Sequence, residues 1–249
     1  MSPSTETREN RELAAEIKFK LPFALAERVK GWARTHLHPD PNSTDASGDG
    51  YETCSLYFDT HDFAVFRGVG SFKRAKYRIR RYGQSSTVFL ERKLKTRGYV
   101  TKRRSIVPIE ALDRLRSEDP SEGWNGEWFH RRLLLRKLKP ICQVTYNRTA
   151  RVTMTSQGPI RLTMDLRLRA VPIGDLAFDV ERSPELILNE ECIIELKFCG
   201  QVPVLFKQLI QDYGLEPLAV SKYKLAAAKL KLMGDLPLET KIDPQPVYA

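Results

Sequence analysis

The feature that most constrains this chain is a period-two alternation of charged and apolar side chains. Lys76, Arg78 and Arg80 occupy every second position of one segment, and Tyr77 and Ile79 stand between them. Successive side chains of a β-strand point to opposite faces, so the pattern predicts a strand with one cationic face and one apolar face. The strands predicted in this way are residues 16–21, 53–59, 73–82, 86–95, 99–108, 141–153, 159–168, 176–180 and 192–198.

The polar faces of these strands carry mostly long cations, with an acid beside a cation in several of them. Glu16 precedes Lys18, Glu91 precedes Lys93, and Glu195 precedes Lys197. A sheet with one solvated face explains any single strand. For the whole set, about eight strands are enough to close a barrel with the charged faces inside. We therefore predict an α+β fold, an antiparallel eight-stranded β-barrel tunnel with a charged interior, covered outside by amphipathic helices.

Helical segments supply that outer cover. Residues 23–36 and 203–213 read as amphipathic helices, and residues 221–233 open with a serine N-cap and form the final helix. Residues 109–139 lack the strand alternation, which predicts a helical insertion between strands. Within it we predict a basic helix at 127–138, and we interpret its cations as a solvent-exposed face. We predict one domain over residues 14–233, with tails at 1–13 and 234–249.

Charge limits the class of partner. The chain of 249 residues has a formal net charge of +10, which favours an anionic partner. An unpaired buried charge costs several kcal/mol, so a cationic interior needs water or a polyanion inside it. A triphosphate or polyphosphate suits arginine, whose fork binds phosphate oxygens in a bidentate manner. The few acids would then bind Mg²⁺ or Mn²⁺, which prefer oxygen ligands.

Several classes are disfavoured. The four cysteines show no CxxC spacing and no histidine stands near them at a ligand spacing, so neither a disulfide framework nor a zinc site is predicted. The sequence contains no run of about 18 apolar residues, so no transmembrane helix is predicted. The polar N-terminus lacks a signal peptide, so we predict a cytoplasmic location, with peripheral membrane attachment through partners left open. No GxxxxGK[ST] loop is present.

Nine short motifs resemble the VTC domain, the polyphosphate polymerase catalytic module of the triphosphate tunnel metalloenzyme (CYTH-like) superfamily. They are EIKFKLP (16–22), SLYFDT (55–60), YRIRRYG (77–83), FLERK (89–93), the lysine of GYVTKRR (98–104), TYNRTA (145–150), IRLTMD (160–165), IIELKF (193–198) and SKYKLA (221–226). Each motif alone is weak, but nine in this order make the resemblance specific, and it covers most of the chain.

The resemblance implies a tunnel in which basic residues grip phosphates beside Mn²⁺ or Mg²⁺. The residues implied to act on the reacting phosphates are Lys18, Arg78, Arg80, Lys93, Arg148 and Lys222. Further substrate contacts are expected from Lys20, Lys76, Lys102, Arg161, Lys197, Tyr146 and Ser221. The expected metal ligands are Glu195, Glu16, Glu91 and Asp165.

The implied activity is transfer of the ATP γ-phosphoryl group to the end of a polyphosphate chain. One departure bears on this. The wider superfamily opens with alternating glutamates, ExExK, whereas this strand reads Glu16, Lys18, Lys20, which disfavours a two-metal triphosphatase or cyclase. Hydrolysis of a triphosphate or short polyphosphate, with Glu16 or Glu91 activating water, and non-catalytic polyphosphate binding stay open. Nucleic acid is disfavoured, because aromatic residues make up only 9% of the chain.

Overall fold

One antiparallel sheet of ten strands forms the body of the computed structural model, which describes residues 14–43, 49–96, 99–120, 122–178 and 183–234. The strands are β1 (Ala14–Pro22), β2 (His38–Pro39), β3 (Gly50–Asp59), β4 (Ala75–Tyr82), β5 (Thr87–Thr96), β6 (Tyr99–Pro108), β7 (Lys139–Thr155), β8 (Gly158–Pro172), β9 (Glu185–Leu186) and β10 (Glu191–Cys199).

The sheet curls until its two sides meet. Its order is β2-β7-β3-β4-β5-β6-β1-β10-β8-β9, and β7 also pairs with β8, so every strand except the short β2 and β9 joins a ring. Most ladders of the ring are long, but β1 and β6 share only one residue pair, Ala14 with Val100, among the described residues. The predicted antiparallel tunnel is therefore confirmed, with the correction that the sheet is curled around a weak seam rather than evenly closed.

The helices lie where the sequence predicts them, with shorter limits in most cases. They are α1 (Phe23–His36), α2 (Ala64–Arg67), α3 (Glu127–Leu135), α4 (Val204–Asp212) and α5 (Lys222–Lys229), and short 3-10 helices cover Gly70–Arg74 and Ile109–Arg116. The limits of α1 match the prediction. The α3 helix ends before the predicted residue 138, because Lys137 adopts a left-handed φ of 50°.

The predicted strand at 176–180 is wrong over the residues that the structure describes. Residues 176–178 form bends and irregular backbone, and residues 179–182 lie outside the described residues. The Asp175 side chain accepts a hydrogen bond from the Leu176 backbone N–H at 2.6 Å, a local bond that competes with a strand ladder. The added neighbour of β8 is instead the two-residue β9.

The apolar faces of the strands point outward and pack under the helices. Ile17 and Phe19 of β1 are buried in one cluster with Val29 of α1 and Phe206 of α4. A second cluster covers the other side of the tunnel and joins β3, β4, β5 and β7 to α3 and α5. Apolar burial of this kind contributes about 25 cal/mol per Å², so it stabilises the curl from outside and leaves the charged faces to line the interior.

A buried carboxyl group fixes α5 against the end of the tunnel. Asp59 accepts hydrogen bonds from the Val65 and Phe66 backbone N–H groups and, at 2.5 Å, from the Tyr223 hydroxyl. Tyr223 also stacks on Tyr57, with 5.5 Å between ring centroids. These contacts set the position of Lys222, which precedes Tyr223 on α5.

The described residues contain no helix with both the length and the apolar character needed to cross a membrane. The assignment of residues 14–233 to one domain, with an insertion at 109–139, stays a prediction.

Tyr223→Phe tests the attachment of α5. Removing the hydroxyl leaves the Asp59 carboxyl short of one buried donor, so the free energy of unfolding should fall by about 1–3 kcal/mol in urea titrations. The matched variant Tyr213→Phe alters a partly exposed tyrosine and should stay within about 0.5 kcal/mol of the parent. Equal stability of the two variants would contradict the role given to Asp59.

Candidate functional site

Charged side chains from non-adjacent strands meet inside the ring. Lys93 of β5 donates to Glu16 of β1 at 2.6 Å, although β6 lies between these strands in the sheet. Arg80 of β4 donates to Tyr146 of β7 at 2.9 Å across β3. Bonds that bypass the intervening strand cross the interior, so the predicted inward direction of the charged faces is what the structure shows.

The first cluster centres on two carboxylates next to α5. Glu195 of β10 accepts hydrogen bonds from Lys18 at 3.1 Å and from Lys222 at 2.8 Å. Lys222 also lies 2.6 Å from Asp165 of β8, which forms a bidentate pair with Arg148 at 2.6 and 2.7 Å. Burial opposes ionisation of both carboxyls, but the surrounding cations outweigh it and lower the pKa of each. Both are therefore anionic at neutral pH.

A second cluster surrounds Glu91 of β5. Its carboxylate accepts hydrogen bonds from Arg78 at 2.6 Å and Arg104 at 2.8 Å, and Lys102 lies 3.7 Å away. The side chain is only 1% exposed, so burial opposes its charge, yet the adjacent cations hold its pKa well below the ordinary value. These contacts suit Glu91 to a counter-ion role, and its assignment as a metal ligand stays a prediction.

Tyr146 lies between the clusters. Arg80 donates to its hydroxyl and, through Nε, to Ser55 Oγ at 3.0 Å. The Arg148 guanidinium and the Lys222 ammonium lie over its ring, 5.3 and 5.2 Å from the centroid. Three cations from β4, β7 and α5 thus converge on one phenol, which gives them a fixed arrangement.

A group of lysines occupies the α5 end of the interior. Lys76 donates to Ser221 Oγ at 2.8 Å, and Ser221 caps α5 by accepting from the Lys224 backbone N–H. Burial, reinforced by Lys18 and Lys93, lowers the pKa of Lys76 to about 7. Burial also lowers the pKa of Lys93 to about 8, although Glu16 opposes this shift. This end therefore carries ammonium groups that a polyanion would stabilise.

Three predicted substrate contacts lie away from these clusters. Lys20 pairs with Glu191 at 2.9 Å and is about one-third exposed. Arg161 pairs with Asp40 at 2.6 Å, and Lys197 is exposed. The structure places the other predicted residues in or beside the clusters, while Arg161 also donates to the Tyr51 hydroxyl at 2.9 Å. The functional role of every predicted site residue stays a prediction.

Sequence reasoning missed several interior residues that the structure places beside the predicted ones. Arg104 and Tyr82 are bonded to each other at 3.1 Å, and Tyr51 and Phe89 lie near Tyr82. The period-two pattern contained the signal, because Tyr82 shares a face with Arg80, and Arg104 with Lys102. In the sequence an aromatic residue on a charged face resembles a core residue. The alternation alone therefore did not identify these tyrosines and Phe89 as residues of the tunnel interior.

The carboxylates suit a metal ion only in part. No group of three or more metal-binding side chains occurs within the residues that the structure describes. Asp165 and Glu195 do both lie within 2.8 Å of one cation, the Lys222 ammonium. Mg²⁺ is commonly bound by one or two carboxylates together with substrate phosphates. The donor set fits such a shared site, with Glu195 and either Asp165 or Glu16, and does not form an all-protein metal cage.

Comparison with known proteins agrees with this architecture. A family model described as the VTC domain matches residues 13–231. A candidate adenylate cyclase from Bacillus halodurans aligns with a TM-score of 0.51 and 15% identity over 84% of this chain and 94% of that chain. A candidate adenylyl cyclase from Hippeastrum, described as having a dominant triphosphatase activity, aligns with a TM-score of 0.49 and 16% identity. The alignment covers 91% of this chain and 99% of that chain. The comparison with curated proteins gives no match.

A curled antiparallel sheet whose inner face carries cations and carboxylates forms a charged tunnel. More specifically, the chain belongs to the VTC domain family, as the match over residues 13–231 shows. The Bacillus halodurans structure supports the fold alone.

The lysines at the α5 end predict a pH-dependent affinity for polyanions. Bound tripolyphosphate favours charged ammonium groups, so it should raise the pKa of Lys76 and Lys93, and binding at about pH 8 should take up protons. Affinity should fall as pH rises through 7 to 8, the pKa range of the free groups.

Isothermal titration calorimetry in two buffers of different ionisation enthalpy measures this uptake. Lys76→Met should reduce the number of protons taken up, whereas exposed Lys73→Met should not change it. Binding of tripolyphosphate without proton uptake would contradict the lowered pKa values.

Proposed function

We propose that the chain is a polyphosphate polymerase-like phosphotransferase that moves the ATP γ-phosphoryl group onto a polyphosphate chain. The observation that carries this proposal is the convergence of Arg80, Arg148 and Lys222 on Tyr146 inside the tunnel. Guanidinium groups bind phosphate oxygens through paired N–H donors, and an ammonium adds a compact charge. Such a set can hold a triphosphate and neutralise the charge that develops during transfer.

Phosphoryl transfer needs alignment and charge neutralisation more than covalent chemistry from the protein. In our account Arg78, Arg80, Arg148 and Lys93 hold the triphosphate, while Lys18, Lys102 and Lys222 orient the acceptor phosphate or the product. A bound Mn²⁺ or Mg²⁺, held by Glu195 with Asp165 or Glu16, would neutralise phosphate charge. The supporting contacts are those of the two clusters described above.

The interior carboxylates support transfer over hydrolysis. A general base works best with a pKa near the operating pH. Burial raises the pKa of Glu16, but Lys93 and Lys18 outweigh that effect and bring it to about 2, and Glu91 is likewise held low. With these ion pairs in place both are weak bases for activating water, whereas a terminal phosphate acceptor is already anionic and needs no base.

Incubation of the purified chain with ATP and Mn²⁺ or Mg²⁺ tests the proposal. We expect ADP together with growing polyphosphate, resolved by gel electrophoresis and phosphorus NMR. Orthophosphate without chain growth would instead indicate the hydrolase alternative. Tight polyphosphate binding without turnover would indicate a binding module. The cytoplasmic location and the absence of a nucleic-acid partner stay predictions.

Neighbouring arginines on β4 provide a matched pair of variants. Arg80→Ala removes a buried donor that faces the tunnel and should lower kcat/KM by about 10²–10³-fold. Arg81→Ala removes the next residue, which bonds to the Ser85 carbonyl on the other face of the strand, and should leave kcat/KM within about 2-fold. Thermal melting of both variants checks the fold, and equal loss of activity in two folded variants would argue against the tunnel as the site.

A further inference from the structure

A row of aromatic rings lines the interior at the level of Tyr82. The Tyr51 and Tyr82 centroids lie 5.4 Å apart, and those of Tyr82 and Phe89 lie 5.3 Å apart, both in edge-to-face contact. The rings come from the adjacent strands β3, β4 and β5. They share the inward faces of Ser55 and Arg80, because Tyr51 is four residues from Ser55 and Tyr82 two residues from Arg80.

Guanidinium groups alternate with these rings. Arg104 lies 4.1 Å from the Phe89 centroid and donates to the Tyr82 hydroxyl at 3.1 Å. Arg80 lies 5.8 Å from the Tyr82 centroid, and Arg161 donates to the Tyr51 hydroxyl at 2.9 Å. The binding of phosphate groups alone requires no aromatic surface. Rings interleaved with arginines are the kind of surface on which nucleobases stack, through both π-faces and guanidinium planes.

The row lies at the end of the interior opposite α5. Tyr57 stacks on Tyr223 of α5, and Tyr51 lies on the same face of β3 six residues away, about 20 Å along the strand. Arg80 comes between the two ends, two residues before Tyr82. A triphosphate held between Arg80 and Lys222, with its α-phosphate at the Arg80 end, would place its nucleoside beside the aromatic row.

The rings differ in accessibility. Tyr51 is buried, at 8% exposure, and braces the row, whereas Tyr82 and Phe89 are only partly buried. Their remaining surface is where a flat ligand ring could pack beside Arg104.

We propose that Tyr82, Phe89 and Arg104 form a nucleobase subsite, in which the base of the nucleoside triphosphate packs on the aromatic row. The inference rests on the proposed function for the position of the triphosphate. Stacking is tolerant of base identity, so both purine and pyrimidine nucleotides should be accepted.

The test compares two ligands that share a triphosphate and differ in the base. Dissociation constants of ATP and of inorganic tripolyphosphate are measured by calorimetry with Mg²⁺ for the parent, Tyr82→Leu and Phe89→Leu. We expect ATP to bind about 10-fold more weakly to each variant, with tripolyphosphate affinity within about 2-fold of the parent. Tyr82→Phe keeps the ring and should retain most of the preference for ATP.

Phe72→Leu is the matched control, because Phe72 lies under Arg136, 5.0 Å from its guanidinium, in a ring–arginine contact that involves neither the row nor Arg104. It should change neither affinity. Equal losses for both ligands in the Tyr82 and Phe89 variants, or equal binding of ATP and tripolyphosphate by the parent, would overturn the subsite. Failure of the parent to bind either ligand would overturn the subsite and the proposed function together. Normal ATP selectivity with release of orthophosphate alone would overturn only the polymerase activity.

Discussion

Buried carboxylates hold the interior of this tunnel together. Glu91, Asp165 and Glu195 each form ion pairs with two or more cations, and together they neutralise part of the positive charge that faces inward. Removing one partner of a buried ion pair costs about 3–5 kcal/mol, since the remaining charge stays desolvated. This pairing also holds the Lys222 ammonium of α5 beside Asp165 and Glu195.

The pairing of interior carboxylates with cations also explains how a polyanion could enter the tunnel. Phosphate oxygens can take over the cations that the acids hold, and a divalent metal can take over the acids. Each exchange preserves the number of opposite charges in contact, so neither leaves a buried charge alone. Burial lowers the pKa of Lys76 and Lys93 at the α5 end, and neighbouring lysines add to that effect, so a phosphate chain would stabilise the charged ammonium groups there.

Much of the fold and part of the site follow from the sequence. The alternation in Lys76–Arg80 predicted both the strand and its inward face, because only one arrangement buries the apolar residues under helices. Long-range partners could not be predicted: nothing local places Tyr223 on Asp59, or Lys93 on Glu16 across an intervening strand. Residues 176–178 form bends and irregular backbone instead of a strand, and there the Asp175 carboxylate accepts a local hydrogen bond from the Leu176 N–H that the sequence pattern does not reveal.

The most direct test of the account is a crystal structure with a non-hydrolysable ATP analogue and Mn²⁺. The account predicts a phosphate chain inside the tunnel between Arg80 and Lys222, with anomalous density from Mn²⁺ beside Glu195. A phosphate chain bound instead on the outer surface, for example along the basic side of α3, would contradict it.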